Sequence, residues 1–207
     1  IVGLLAACVP VQTEPSVQPS TSINWVPASQ TPAAVTPAPT EATSGLPKYI
    51  FLFIGDGMSF AQVNAAEMVL GSLAEETAPR PLCFTQFSAT GSATTYDATS
   101  FIPDSAAAGT AISCGVKTET GAIGLDTDGV IAPNITERFK AQGKRVGIVT
   151  SVTLNNATPA AFYAHVESRR SYYDIAVQMA TSGVDYFGGG SLTSPTGSSG
   201  EIGRAHV

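Results

Sequence analysis

Basic residues are scarce in this chain. Ten Lys and Arg stand against sixteen Asp and Glu among 207 residues, a net charge of −6. That balance leaves no basic face able to track a phosphate backbone, which excludes nucleic acid as a main partner. Long apolar runs are missing too. The eight residues from Ile1 to Cys8 and the run Tyr49-Ile50-Phe51-Leu52-Phe53-Ile54 are both too short to span a bilayer as a helix. Cysteine is limited to Cys8, Cys83 and Cys114. With Cys8 set aside for the reason below, the other two either form one bridge in an oxidising compartment or stay as buried thiols. Hydrophobic residues make up 43% of the chain, enough for a compact α/β domain that does not include every residue.

The two ends fall outside that domain. Residues 1–8 read as the end of an export signal, an apolar run followed by small residues and a cysteine. There is no initial methionine and no basic region before the run, so the N-terminus reads as incomplete. Leu5-Ala6-Ala7-Cys8 resembles the bacterial lipobox, with Cys8 as the lipidated residue. Residues 9–47 hold eight of the fourteen prolines and only two charged residues, Glu14 and Glu41. Such a segment buries too little to fold and is expected to be an extended tether. A lipid on Cys8 followed by a tether would hold a domain off a membrane, placing the protein in the bacterial cell envelope or, without the anchor, in the periplasm or outside the cell. Residues 191–207 are Ser, Thr, Gly and Pro without periodicity and then Gly203-Arg204-Ala205-His206-Val207, which reads as an unstructured, partly vector-derived tail.

Between the ends, residues 48–190 alternate strand and helix signals. Tyr49–Ile54 reads as a central strand buried on both faces of a parallel sheet, closed by Gly55-Asp56-Gly57-Met58. The flanking glycines let the chain turn and leave Asp56 at the carboxyl end of the strand, where open α/β sheets bind ligands. Ser59 and Gln62 form a capping-box signature, ahead of an apolar stripe closed by Gly71. Asn134 and Glu137 repeat that signature before a helix ending at Gly143. A second buried strand follows over Arg145–Thr150, with the polar loop Ser151 to Ala161 beyond its end. Ser171 and Asp174 are positioned to cap a further helix running to Gly183, and Val184–Phe187 reads as a short strand before Gly188-Gly189-Gly190.

The chemistry concentrates in Pro103-Asp104-Ser105-Ala106-Ala107-Ala108-Gly109-Thr110-Ala111. A hydroxyl at the mouth of a small-residue helix sits where backbone N–H groups lack intrahelical acceptors, so a phosphate can be held and attacked there. Together with Ile54-Gly55-Asp56-Gly57-Met58, Gly115-Val116-Lys117-Thr118, Ala157-Thr158-Pro159-Ala160 and Ala164-His165-Val166-Glu167-Ser168-Arg169, this motif resembles the alkaline phosphatases in order and spacing. The resemblance covers about residues 48–190. It implies a three-layer α/β sandwich with a mostly parallel central sheet, incomplete in a chain about half the family's length. It also implies hydrolysis of phosphate monoesters through a phosphoserine, with inorganic phosphate as product, two Zn2+ ions and one Mg2+ ion, and a possible homodimer.

Residue by residue, the resemblance makes Ser105 the nucleophile and a zinc ligand, and Asp56 a bridge between that zinc and magnesium. Thr158 becomes a magnesium ligand, with Asn156 in the same metal site. Arg169 grips two phosphate oxygens with its planar fork, and Asp104 orients Arg169 or the loop. Taken singly these residues have plainer roles: Ser105 a helix cap, Thr158 a turn residue before proline, Arg169 a solvated neighbour of Arg170. His165 is expected to pack or hydrogen-bond rather than bind metal. Two features depart from the family. Asn156 stands where many relatives carry aspartate or histidine, which weakens or retunes a magnesium site. His165 and His206 are the only histidines, so one zinc site has no ligands in the sequence. The chain alone is therefore expected to be inactive or badly impaired. The other readings are a phosphodiesterase or sulfatase of the same superfamily and a noncatalytic, phosphate-binding surface lipoprotein.

Overall fold

The computed structural model of the chain describes residues 3–7 and 47–196, so the lipobox cysteine, the proposed tether up to residue 46 and residues 197–207 of the tail lie outside the described residues, while Ser191 and Thr193 at the start of the tail are hydrogen-bonded to Leu154 and Asn155. Two compact units separate, Leu4–Phe53 and the body that follows it. The strands β1 (Gly3–Ala7) and β2 (Phe51–Gly55), most of whose residues belong to the first unit, pair in a two-stranded sheet. The expectation of a strand buried on both faces is corrected here. Phe51 and Phe53 are 50% and 65% exposed, because the described residues of this unit include no helix to cover either face.

In the second unit the capping boxes form as the sequence predicts. Ser59 caps α1 (Phe60–Leu73) with Gln62 answering its backbone N–H, and Asn134 and Glu137 do the same for α3 (Ile135–Ala141). Gly71 does not end α1. It is buried inside the helix, where an added Cβ would meet the Ala78 carbonyl oxygen at 2.2 Å. The glycine is there because the returning chain passes over it, with the Arg80 N–H bonded to the Glu67 carbonyl at 2.9 Å. A single 3₁₀ turn, Cys83–Gln86, follows that return. Cys83 is exposed and Cys114 buried, both free, so only Cys114 is the buried thiol expected of the pair.

The parallel pairing predicted for the sheet is found between β3 (Gly147–Thr153) and β4 (Tyr186–Gly190), with Ile148 opposite Phe187. Gly188, Gly189 and Gly190 belong to β4 rather than following it. An added Cβ on Gly189 would meet Thr150 Cγ2 at 2.7 Å, so the tight approach to β3 accounts for the glycines. Between these strands run the single turn α4 (Ala157–Ala160) and α5 (Tyr172–Thr181). Ser171 precedes α5 but its side chain makes no capping bond, another departure from the sequence reading.

The core is built largely from small side chains. Ala106 of α2 (Ser105–Cys114) and Ala157, Ala160, Ala161 and Ala164 around α4 are all at most 1% exposed. Small residues bring helices close enough for backbones nearly to touch, and Gly109 is the closest point: a Cβ there would meet Ala161 Cβ at 2.9 Å. Tyr163 closes the other side, edge-on to Phe187 at 5.3 Å between centroids and donating its hydroxyl to the Leu154 carbonyl. Helix propensity alone would make Gly109→Ala stabilising. The contact with Ala161 reverses the sign, and urea denaturation should show the variant destabilised by about 1–3 kcal/mol.

Candidate functional site

Helix α2 owes its start to Asp104, whose Oδ1 accepts the Ala107 N–H at 3.0 Å. The cap is thus the residue before the serine. Ser105 is the first residue of the helix and its hydroxyl takes no part in capping, which sets aside the plain-cap reading. Gly115, in the left-handed region at φ 75°, ends the helix after ten residues.

Asp104 also reaches outward. Its Oδ1 accepts the Gly121 N–H at 3.1 Å and its Oδ2 accepts from Arg169 Nη1 at 2.8 Å. The Arg169 N–H in turn donates to the Gly121 carbonyl at 2.7 Å. Two of the predicted site residues are therefore joined directly, and the third, Ser105, is covalently next to one of them. Burial by itself would raise the Asp104 carboxyl. The Ala107 N–H, Arg169 and the Gly121 N–H outweigh it and hold the group below the usual carboxylate range.

A second pair forms at the end of β2. Thr158, in the α4 turn, donates its hydroxyl to Asp56 Oδ2 at 2.8 Å. Gly109 of α2 lies against Thr158, whose Cα would be 3.8 Å from an added Cβ. The Asp56–Thr158 pair thus sits about one turn along α2 from Ser105. Asn156 precedes α4 without a side-chain capping bond.

Magnesium takes hard oxygen donors in octahedra whose adjacent oxygens are about 3 Å apart. The Asp56 and Thr158 oxygens match that in type and separation and fit part of such a site. Zinc does not fit. Among the described residues no three His, Cys, Asp or Glu side chains converge. Both ring nitrogens of His165 are engaged elsewhere, by the Gly124 carbonyl at 2.7 Å and Glu137 Oε1 at 2.8 Å.

Several positioning residues escaped the sequence reading. Asn155, fully buried, donates to the Tyr172 and Thr193 carbonyls and accepts the Thr193 N–H, fixing the polar loop before Thr158. Asp97, 6% exposed, accepts the Thr99 N–H and the Thr120 hydroxyl, tying the segment before the serine motif to the loop that holds Gly121. Gly121 acts only through its backbone. Asn155 stood beside Asn156 in a polar loop, and nothing in its type distinguished the structural amide from the candidate ligand.

Residues 47–189 match the family model described as alkaline phosphatase. Alkaline phosphatase 4 of Drosophila melanogaster is 39% identical over 134 residues, which are 58% of this chain and 22% of that protein. The crystal structure of a cold-active alkaline phosphatase from a psychrophilic Shewanella species superposes with a TM-score of 0.60, at 36% identity over 64% of this chain and 33% of that one. A histidine-to-aspartate variant of the alkaline phosphatase from the Antarctic bacterium TAB5, with Mg bound in its M3 site, superposes at TM-score 0.52 and 31% identity over 60% of this chain and 35% of that one. The chain spans about a quarter of the length of the curated relatives it matches. The fold of the matched region is that of these enzymes, and the chain belongs to the alkaline phosphatase family.

Proposed function

We propose that this chain supplies the nucleophile and phosphate clamp of a phosphomonoesterase. The observation that carries the reading is the Asp104 carboxylate, which bonds the first turn of α2 and the Arg169 guanidinium at once and so holds a serine hydroxyl and a cationic fork beside each other.

Ser105 Oγ attacks phosphorus, the bond to the ester oxygen breaks, and the alcohol leaves carrying the serine proton. Water then attacks the phosphoserine, releasing inorganic phosphate and restoring the hydroxyl. Arg169, with one Nη1–H committed to Asp104, offers its other N–H groups to the equatorial phosphate oxygens, where charge is spread during transfer. The N-terminus of α2 adds partial positive charge at the serine. Asp56 and Thr158 would hold magnesium, with the Asn156 amide oxygen as a further donor, and the bound ion would supply positive charge and a polarised water. Zinc at Ser105 and Asp56 rests on family likeness alone, and no step here depends on it. Export and anchoring through lipid on Cys8 belong to the same proposal and rest on Leu5-Ala6-Ala7-Cys8.

The purified 207-residue chain, given zinc and magnesium, is expected to turn over p-nitrophenyl phosphate no faster than its Ser105→Ala variant; clear zinc-dependent turnover overturns that. The activity itself is tested by joining residues 48–190 in frame to the remaining sequence of the Shewanella enzyme. Turnover that falls about a thousandfold or more in Ser105→Ala supports the proposal. A folded, metal-loaded chimera indifferent to Ser105→Ala refutes it and favours a noncatalytic phosphate-binding role.

The Asp104 carboxyl is held low, so its contribution to stability is present above the ordinary carboxylate range and is lost as pH falls through its folded value. Thermal melts should therefore show the native chain above Asp104→Asn at pH 7, with the gap closing as the pH drops below about 4.

A further inference from the structure

The segment that carries Arg169 is fastened by a histidine whose two ring nitrogens both face acceptors. His165 Nδ1 lies 2.7 Å from the Gly124 carbonyl oxygen and Nε2 lies 2.8 Å from Glu137 Oε1. A carbonyl only accepts, so Nδ1 must carry a proton. Glu137 is at the third position of α3, where its Oε2 accepts the Asn134 N–H at 2.8 Å and the helix N-terminus favours its anion. The ring is thus held between a backbone carbonyl and a side-chain carboxyl group.

The surroundings are built for that ring. Its side chain is 11% exposed. Gly124 has φ 65°, and a Cβ there would sit 2.4 Å from His165 Nδ1 and 2.5 Å from the Ala164 carbonyl, so only glycine leaves space for the imidazole. Gln178 of α5 clasps the His165 backbone from the other side, accepting its N–H at 2.7 Å and donating to its carbonyl at 3.0 Å.

From His165 the chain runs straight to the clamp. Val166 and Ile123 exchange N–H···O bonds, each 2.9 Å, and the Arg169 N–H reaches the Gly121 carbonyl. The pairs His165–Gly124 and Val166–Ile123 share one antiparallel register, and Arg169–Gly121, one residue out of it past the bend at Glu167, joins the same two segments again. We infer that His165 is a positioning residue, whose ring, held between the Gly124 carbonyl and Glu137, fixes the contact between the two segments and so aims Arg169. The aim at phosphate rests on the function proposed above; the placement of the ring and of the segments does not.

The test is hydrogen exchange followed by 15N–1H NMR on the full chain and on its His165→Gln variant. The Ile123, Val166 and Arg169 amides, which close the bonds between the two segments, should exchange about tenfold faster in the variant, with the amides of β3 unchanged. Unchanged exchange at those three amides overturns the positioning role, and so does an equal acceleration in β3, which marks general loosening instead. The readout does not involve phosphate, so a failed phosphatase reading would show separately, in the chimera's indifference to Ser105→Ala.

Discussion

Asp104 bonds three separated parts of the chain: the first turn of α2 through the Ala107 N–H, the following loop through the Gly121 N–H, and the distant Arg169 through its guanidinium. A carboxylate suits this position because it is acceptor-only and has two oxygens to divide among three donors. Asparagine would turn one of those oxygens into an amide NH2 facing either the guanidinium or a backbone N–H, donor against donor. The peptide bond between Asp104 and Ser105 makes the serine the first residue of the helix so anchored. Where α2 begins and where the arginine rests are set together.

The second pair depends on packing instead of charge. Thr158 and Asp56 stay near α2 because Gly109 and the surrounding alanines allow the α4 turn to lie against the helix. This gives the run of small residues after Ser105 a reason beyond helix propensity. Any larger side chain on that face would push α4, and with it Thr158, away from the serine.

Local chemistry was legible in the sequence, and relations between distant elements were only partly so. Both capping boxes formed as read, since the spacing from Ser59 to Gln62 and from Asn134 to Glu137 contains the whole interaction. The serine motif was legible as a helix N-terminus, though Asp104 and not Ser105 is the cap. Gly71 and the glycines of β4 were misread as stops because a glycine's two uses, ending an element and admitting a neighbour, look identical in sequence. The β2 run showed its apolarity, but apolarity does not specify what covers it. Gly121 and Asn155 went unread for the same reason: their contribution exists only once the segments that they join are in place.

The charges around the site say what sort of group it must recruit. A phosphate monoester carries about two negative charges, and Asp56 and Asp104 add one each. Against these stand Arg169, already paired with Asp104, and roughly half a charge from the N-terminus of α2. The described residues therefore leave a bound phosphate substantially uncompensated in a chain whose net charge is itself −6. Another lysine would lessen the excess without ordering Asp56, whereas a divalent cation on the oxygens of Asp56 and Thr158 would neutralise the carboxylate and attract the substrate together. Under the proposed function, Asp56 would disfavour phosphate until a cation neutralised it, which would make metal binding a condition for substrate binding.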